Sequence, residues 1–329
     1  MWAKRNHCGW KKTGFGEIPG WDGGNKNSLA AFVEVCAHLP ALTDGKEIKP
    51  RFGRIEDWRR VCEIAAKTRT SDENAKIFFA QNFTPFTVTA DGDPYGLFTG
   101  YYLPEIKASR TTHGRFIYPL YRLPEENDRN FTRAEIDGGA LSGKGLELVY
   151  ADDPVALFFL HLQGSGVIRL NTGEKILVGF AGKNNQPYHA IGLDLLASGK
   201  IERPVTAQKI KQWLYAHPGN QKEIMEKNTS YIFFREIPDG RPRGASGAAI
   251  TPGYSLAVDS RAMPYFVPVW VDTGNFRRVM IAEDTGSGIT GAVRGDIYFG
   301  SGATAEKLAG EMQSRGRYYV LLPVYNPSK

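Results

Sequence analysis

The 329-residue sequence lacks any apolar run near the roughly 18 to 20 residues of a membrane-spanning helix, which excludes an integral helical membrane protein. It is also poor in cysteine. Its three cysteines, Cys8, Cys36 and Cys62, match no zinc spacing, and their odd number fixes no compartment. Cys36 and Cys62 fall on neighbouring predicted helices and could pair in an oxidising space. The six histidines, among them His113, His161, His189 and His217, are scattered without an HExxH arrangement, so no metal site is expected. A complete G-x-S-x-G elbow is missing. The nearest approaches are "QGSGV" around Ser165 and "TGSGI" around Ser287. No phosphate loop or dinucleotide fingerprint occurs, and no cofactor is expected. The start, "MWAKRNHCGWKKTGFGEIPGW", is basic but has no apolar h-region behind it. The chain is therefore expected to be cytosolic or to have lost its signal.

What is present is ordinary globular material. Hydrophobic residues make up 42% and charged residues 23%, with enough chain for two domains. The net charge of +6 suits a polyanionic partner, but Lys and Arg form no long run, so nucleic acid and acidic glycan are equally served.

The first 85 residues read as helical, with apolar periodicity in "SLAAFVEVCAHL" (28–39), "IEDWRRVCEIAAK" (55–67) and "SDENAKIFFAQNF" (71–83), the last capped by Ser71. From about residue 95 the pattern turns to short β-rich runs, including "GLFTGYYLPEI", "RFIYPLYRL", "LELVYADD", "PVALFFLHLQGSGVIRL" and "KILVGFAG". A helical interlude follows, in which Thr206 opens "TAQKIKQWLYAHP". Strands then return in "SYIFFREI", "YSLAVD", "YFVPVWVDT", "RRVMIAED" and "DIYFGSG". A last helix, "TAEKLAGEMQSRG", is expected to stop at Gly316 before the strand "RYYVLLPVY". Pro/Gly-rich boundaries near Pro104 and in "IPDGRPRG" (237–244) make the middle third an insertion between two halves of one domain.

Chemistry concentrates near the end. "AEDTGSGITGAVRGDIYFGSG" (282–302) sets Asp284 and Asp296 twelve positions apart among six glycines. Ile297, Tyr298 and Phe299 extend from Asp296 as a strand, which anchors that acid, whereas Asp284 falls in a glycine-rich loop. Turn chemistry alone accounts for both acids equally well. Asp272-Thr273-Gly274 and Asp284-Thr285-Gly286 suggest an aspartic protease dyad, but two equivalent loops of a duplicated fold cannot lie twelve residues apart. Tyr101, Tyr102, Tyr118 and Tyr121 occur with Arg110 and Arg115, types that stack on sugars or bind carboxylates, although half-buried β positions explain most of the tyrosines.

Five motifs in order, "FTGYYLPEIKASR…GRFIYPLYRLP", "LQGSGVIRL", "PRGASG", "SLAVD" and "AEDTGSGITGAVRGDIYFGSG", resemble the membrane-bound lytic murein transglycosylase A family with its C-terminal three-aspartate (3D) domain. The resemblance spans about residues 95–325. It implies a mainly β fold with helices: a double-psi β-barrel carrying an inserted smaller β-barrel, with a glycan strand in a groove between them. The division is residues 1–102 for the helical part and the first portion of the barrel, 103–237 for the insert, and 238–329 for the remaining 3D portion.

The signature aspartates correspond to Asp259, Asp284 and Asp296. The resemblance makes Asp296 the catalytic acid and the other two supporting. It places Thr99, Gly100, Tyr101, Tyr102, Gln163, Gly164, Ser165 and Gly300 in substrate binding, with Gln163 and Ser165 at the end of a strand. A hydrolase needs two carboxylates, whereas a lytic transglycosylase uses the substrate's own C6 hydroxyl as nucleophile. Asp296 would need a raised pKa, from burial or from Asp284. The resemblance further implies peptidoglycan glycan strands as the partner, no nucleic acid, a monomer, and a periplasmic or envelope location that leaves room for peripheral outer-membrane association. The lipobox and anchor cysteine of a membrane-bound member are not visible, and Cys8 follows "RNH". The alternative is a non-catalytic carbohydrate-binding protein, which would share the aromatics without needing Asp296.

Overall fold

The computed structural model describes residues 8–286 and 288–324, and Ser287 therefore lies outside the described residues. Strand β1 (Cys8–Lys12) precedes three helices, α1 (Lys26–Cys36), α2 (Ile55–Lys67) and α3 (Asp72–Asn82). Each start has a physical cause where the sequence offers one. Asn25 accepts from the Asn27 and Ser28 amides at the head of α1, and Ser71 accepts from Asn74 at the head of α3. In α2 the buried positions Ile55, Trp58, Val61 and Ala65 recur at helical spacing. Cys36 and Cys62 are joined in a disulfide that ties α1 to α2.

The helical reading of the first 85 residues stops too late. Chain direction changes at Phe83, where β2 (Phe83–Ala90) begins directly after α3 and pairs with β1. Phe83 ends the helical periodicity but packs with Phe32, Phe78 and Phe79 in the same core, which disguises the change in sequence. Strand β3 (Gly96–Leu103) follows.

The inserted segment then supplies β4 (Glu105–Ser109), β5 (Tyr118–Tyr121), α4 (Arg133–Asp137), β6 (Glu147–Ala151), α5 (Pro154–Gln163), β7 (Ser165–Leu170), β8 (Lys175–Lys183), α6 (Ile191–Ala197), α7 (Ala207–Ala216), α8 (Gln221–Glu226) and β9 (Ile232–Ile237). Its strands form one six-stranded sheet in the order β5-β6-β4-β7-β8-β9, with β4 and β7 parallel.

One β-rich run divides in two here. "PVALFFLHLQ" is the helix α5, because Asp153 accepts from the Val155 and Ala156 amides, Pro154 occupies the first turn, and Gly164 closes the helix at φ +75°. The aromatic reading of this region is corrected too. Tyr121 is 1% exposed inside a core with Ile136 and Leu141, while Arg110 pairs with Glu236 and Arg115 with Asp152.

The chain returns with β10 (Ser255–Ala257), β11 (Pro268–Asp272), β12 (Arg277–Asp284), β13 (Arg294–Ser301), α9 (Gly302–Glu311) and β14 (Gln313–Pro323). These strands join β1, β2 and β3 in the order β1-β2-β14-β11-β12-β10-β13-β3, and β14 also pairs with β3. The second pairing closes β14, β11, β12, β10, β13 and β3 into a ring, a six-stranded barrel. Gly316 does not stop α9, which ends at Glu311. It lies within β14, where a Cβ would sit 2.8 Å from the Asp272 carbonyl oxygen.

Two units result, one of residues 1–102, 243–300 and 307–329, the other of residues 103–242 and 301–306. The mainly β architecture with helices, a closed barrel and a second β unit inserted in sequence is the fold expected from the sequence.

Candidate active site

Strand pairing brings the two aspartates of the glycine-rich segment together. Ala257 of β10 pairs with Asp296 on the antiparallel strand β13 and with Asp284 on the parallel strand β12. Paired residues share a face, so both acids flank Ala257 on one side of the barrel wall, with Cα atoms about 10 Å apart across two strand spacings. β12 reaches this register through a bulge: Leu256 pairs with Ala282 and the next residue, Ala257, pairs with Asp284, which leaves Glu283 extra.

Asp296 Oδ1 accepts the hydroxyl hydrogen of Thr99 from β3. Arg294, two residues earlier on β13 and hence on the same face, donates Nη2–H to the Thr99 hydroxyl oxygen at 2.7 Å. The guanidinium thereby turns the Thr99 proton toward the carboxylate. Burial is the main influence on Asp296 and raises its pKa above the usual aspartate value. Thr99 and Arg294 oppose that rise, and Asp284 adds to it least. The like-charge effect considered from sequence is thus present but minor.

Asp284 is committed differently. Its Oδ1 accepts from the Thr285 amide at 2.9 Å and the Ala245 amide at 3.0 Å, and its Oδ2 accepts from the Tyr101 hydroxyl at 2.9 Å. Burial raises its pKa as well, against those three hydrogen bonds. The Tyr101 ring lies 5.2 Å from that of Tyr298, and burial and the Asp284 charge hold its hydroxyl protonated.

Asp259 is an ion-pair residue. Arg261 donates Nε–H to Oδ1 at 2.9 Å and Nη2–H to Oδ2 at 2.8 Å, and the Gly291 amide donates to Oδ2 at 2.8 Å. Led by the Arg261 hydrogen bonds, these hold its pKa down at about 2. It stays ionised and fastens the loop between β12 and β13. Asp272 of the other Asp-Thr-Gly triplet is buried and paired with Arg277 and Arg317, and its carboxylate caps its own turn at Gly274.

The remaining predicted positions divide. Thr99, Gly100 and Tyr101 stand in β3 with Tyr102. The lack of a side chain at Gly100 serves packing, since a Cβ would lie 2.5 Å from the Phe299 ring. Gly295 is likewise closed off by Phe98, and Gly300, at φ +99°, takes a conformation that glycine favours. The glycines are therefore not uniformly a thin cover over an acid, as the sequence suggests. Gln163, Gly164 and Ser165 belong to the other unit. Gln163 ends a helix rather than a strand, Gly164 is that helix's left-handed cap, and Ser165 opens β7. Arg294 joins the site without a motif of its own, although period-two spacing from Asp296 marks it. Glu283 carries no local sequence sign, because a bulge is a relation between two strands.

Comparison with known proteins gives the chain its relatives. Residues 97–235 match the MltA specific insert domain and residues 254–322 match the 3D domain. The membrane-bound lytic murein transglycosylase A of Escherichia coli K12 is 36% identical over 248 residues, which cover 70% of this chain and 67% of the relative. The crystal structure of MltA from Neisseria gonorrhoeae superposes with a TM-score of 0.83 at 30% identity, covering 97% of this chain and 95% of that one. E. coli MltA with bound chitohexaose superposes at 0.72 with 28% identity, covering 96% and 95%. By sequence and by structure, the chain belongs to the membrane-bound lytic murein transglycosylase A family of enzymes.

Proposed function

We propose that this protein cleaves the β-1,4 bond between MurNAc and GlcNAc of peptidoglycan without water, leaving a 1,6-anhydroMurNAc end, with Asp296 acting first as acid and then as base. The observation that carries the reading is the division of labour among the three signature aspartates. Asp259 is held ionised by Arg261, Asp284 is engaged by three donors, and Asp296 is a half-buried carboxyl whose pKa is raised. A protonated Asp296 would give its proton to the glycosidic oxygen, and as carboxylate it would take the proton of the MurNAc C6 hydroxyl as that oxygen attacks C1. Thr99 and Arg294 would stabilise the carboxylate between the two steps. The insert, taken as residues 103–237, would supply glycan contacts through Gln163, Gly164 and Ser165, and Gly100, Tyr101, Tyr102 and Gly300 would line the acid's side. The E. coli relative, solved with a bound oligosaccharide, supports a glycan as the ligand. The location proposed is the periplasm or cell envelope, with a monomer acting on glycan strands.

Incubation with purified sacculi followed by mass spectrometry tests the reading. Anhydro-muropeptides are expected, and Asp296→Asn should abolish them while leaving the fold intact, since the amide is nearly isosteric but cannot cycle a proton. Reducing ends would identify a hydrolase and intact polymer a binding protein; residual activity within about tenfold of wild type would remove Asp296 from its role.

A further inference from the structure

One acid of β12 has no part in the chemistry above. Glu283 is 0% exposed, and it is the extra residue of the bulge opposite β10. In an unbulged register Glu283 would stand beside Ala257, and Asp284 would turn to the opposite face, away from Asp296. The orientation of Asp284 therefore depends on what keeps Glu283 in place.

Ser255 of β10 donates its hydroxyl to Glu283 Oε2. The Ser255 oxygen itself accepts from the Thr251 amide at 2.7 Å, so its single proton is committed to Glu283. The Glu283 carbonyl accepts from the Ser246 amide at 2.9 Å, and a Cβ on Gly244 would lie 2.3 Å from that same oxygen. Ala245, between them, donates to Asp284. Residues 244–246 thus form a strap across the bulge, with Glu283 beneath it.

Apart from the Ser255 hydroxyl, the groups acting on this side chain disfavour a negative charge. Among the described residues Oε1 of Glu283 has no hydrogen-bond partner, and the charged groups acting on the side chain are Glu34 from α1 and Asp284 beside it, both acids. The turn after α1 also brings His38 near Gly247, just beyond the strap. Burial, opposed only by the Ser255 hydrogen bond, pushes the carboxyl up to about 8.

We propose that Glu283, as an uncharged carboxylic acid, is a positioning residue of this site: it locks the bulge that sets Asp284 beside Asp296, and its ionisation unlocks the bulge and withdraws activity. The proposal rests on Asp296 being the acid that cleaves glycan.

The test uses the full chain with Glu283→Gln and Glu283→Leu and reads two signals. The first, infrared difference spectroscopy across pH, is independent of activity: wild type should show a protonated-carboxyl band that titrates near pH 8 and is missing from Glu283→Gln. The second is the pH–rate profile on sacculi. Wild type should fall once as Asp296 loses its proton and then more steeply as Glu283 does, and Glu283→Gln should lack the second steepening. Leu cannot accept from Ser255 and should lower kcat about tenfold with KM little changed, a loss that Gln restores. If the leucine variant does not fold, Ser255→Ala replaces it and should move the steepening to higher pH, since that hydrogen bond favours the ionised form. A band unaffected by Glu283→Gln, or superimposable profiles for the two proteins, overturns the proposal. If wild type cleaves no glycan, the catalytic reading fails on its own. Glu283 is then judged by the infrared titration and by amide exchange at Ala245 and Ser246, which above pH 8 should exceed the ordinary base-catalysed rise in wild type and follow it in Glu283→Gln.

Discussion

Replacing Thr99 by valine removes one hydroxyl and little volume, and it should move the alkaline limb of the pH–rate profile upward. The Thr99 hydroxyl donates to Asp296 and accepts from Arg294, so it favours the charged form of the acid. A hydrogen bond to a charged group contributes about 1.5 to 3 kcal/mol. Its loss should raise the Asp296 pKa further, and at 1.36 kcal/mol per pH unit the limb of the rate profile should move by about one to two pH units. A larger fraction of Asp296 then carries its proton at neutral pH, and the fall in kcat/KM begins later by the same interval. Rate at the optimum should drop, because a weaker acid protonates the leaving oxygen less readily and the carboxylate formed has lost a donor. Stability should move the same way. Since the folded pKa of Asp296 lies above its unfolded value, its contribution is complete below the ordinary aspartate range and declines as pH rises through the folded value. In Thr99→Val that decline extends to higher pH. Release of soluble anhydro-muropeptides measured from pH 4 to 10, alongside thermal melts, provides the check. A limb that stays in place or moves toward acid would refute the Arg294–Thr99–Asp296 relay.

Three more expectations follow from the same geometry. Asp284→Asn should cost about 1 to 2 kcal/mol of stability, because an amide cannot accept from Tyr101 while keeping the Ala245 and Thr285 bonds, and it should move the optimum little, as Asp284 is the smallest influence on Asp296; a shift of a full unit toward acid would favour charge coupling instead. Asp259→Asn should lower stability at neutral pH by about 1 to 2 kcal/mol, a modest figure because Arg261 is solvent-exposed, and melts should converge with wild type as pH falls from about 4 toward 2, where Asp259 gains its proton. Reducing the Cys36–Cys62 bridge, or Cys36→Ser with Cys62→Ser, should cost about 3 kcal/mol by freeing the unfolded chain, read as a lower denaturant midpoint with an unchanged or somewhat steeper slope, since the freed chain exposes more surface.

Much of this molecule was readable from local pattern. α2 appears over the span that its periodicity marks, and β12 over the run "RRVMIAED", because each is decided by neighbours a few residues apart. α5 was misread since Val155, Leu157, Phe158, Phe159 and Leu160 are all buried, so no polar face reports the helical period; its caps, Asp153, Pro154 and Gly164, were the better signal. Gly316 looks like a helix stop because sequence cannot reveal that the Asp272 carbonyl crowds it from another strand. In the site, the strand setting of Asp296 was legible. The relay through Thr99 was not, since it joins residues 197 positions apart. The bulge at Glu283 exists only as a relation between two strands.

The closure of the ring also orders events in time. β3 has as its partners β13 and β14, which are made only after the whole inserted segment has been synthesised. Residues 103–242 can therefore gather their own sheet while β3 still waits with its ladder groups unmatched, and the barrel pays its loop-closure entropy late. Thr99 meets Asp296 only when that seam is sewn. A nascent or truncated chain lacking β14 would carry all three signature aspartates yet leave the ring open, with β3 held to β13 alone, so the closed wall around the cutting edge of this protein is the last part of it to exist.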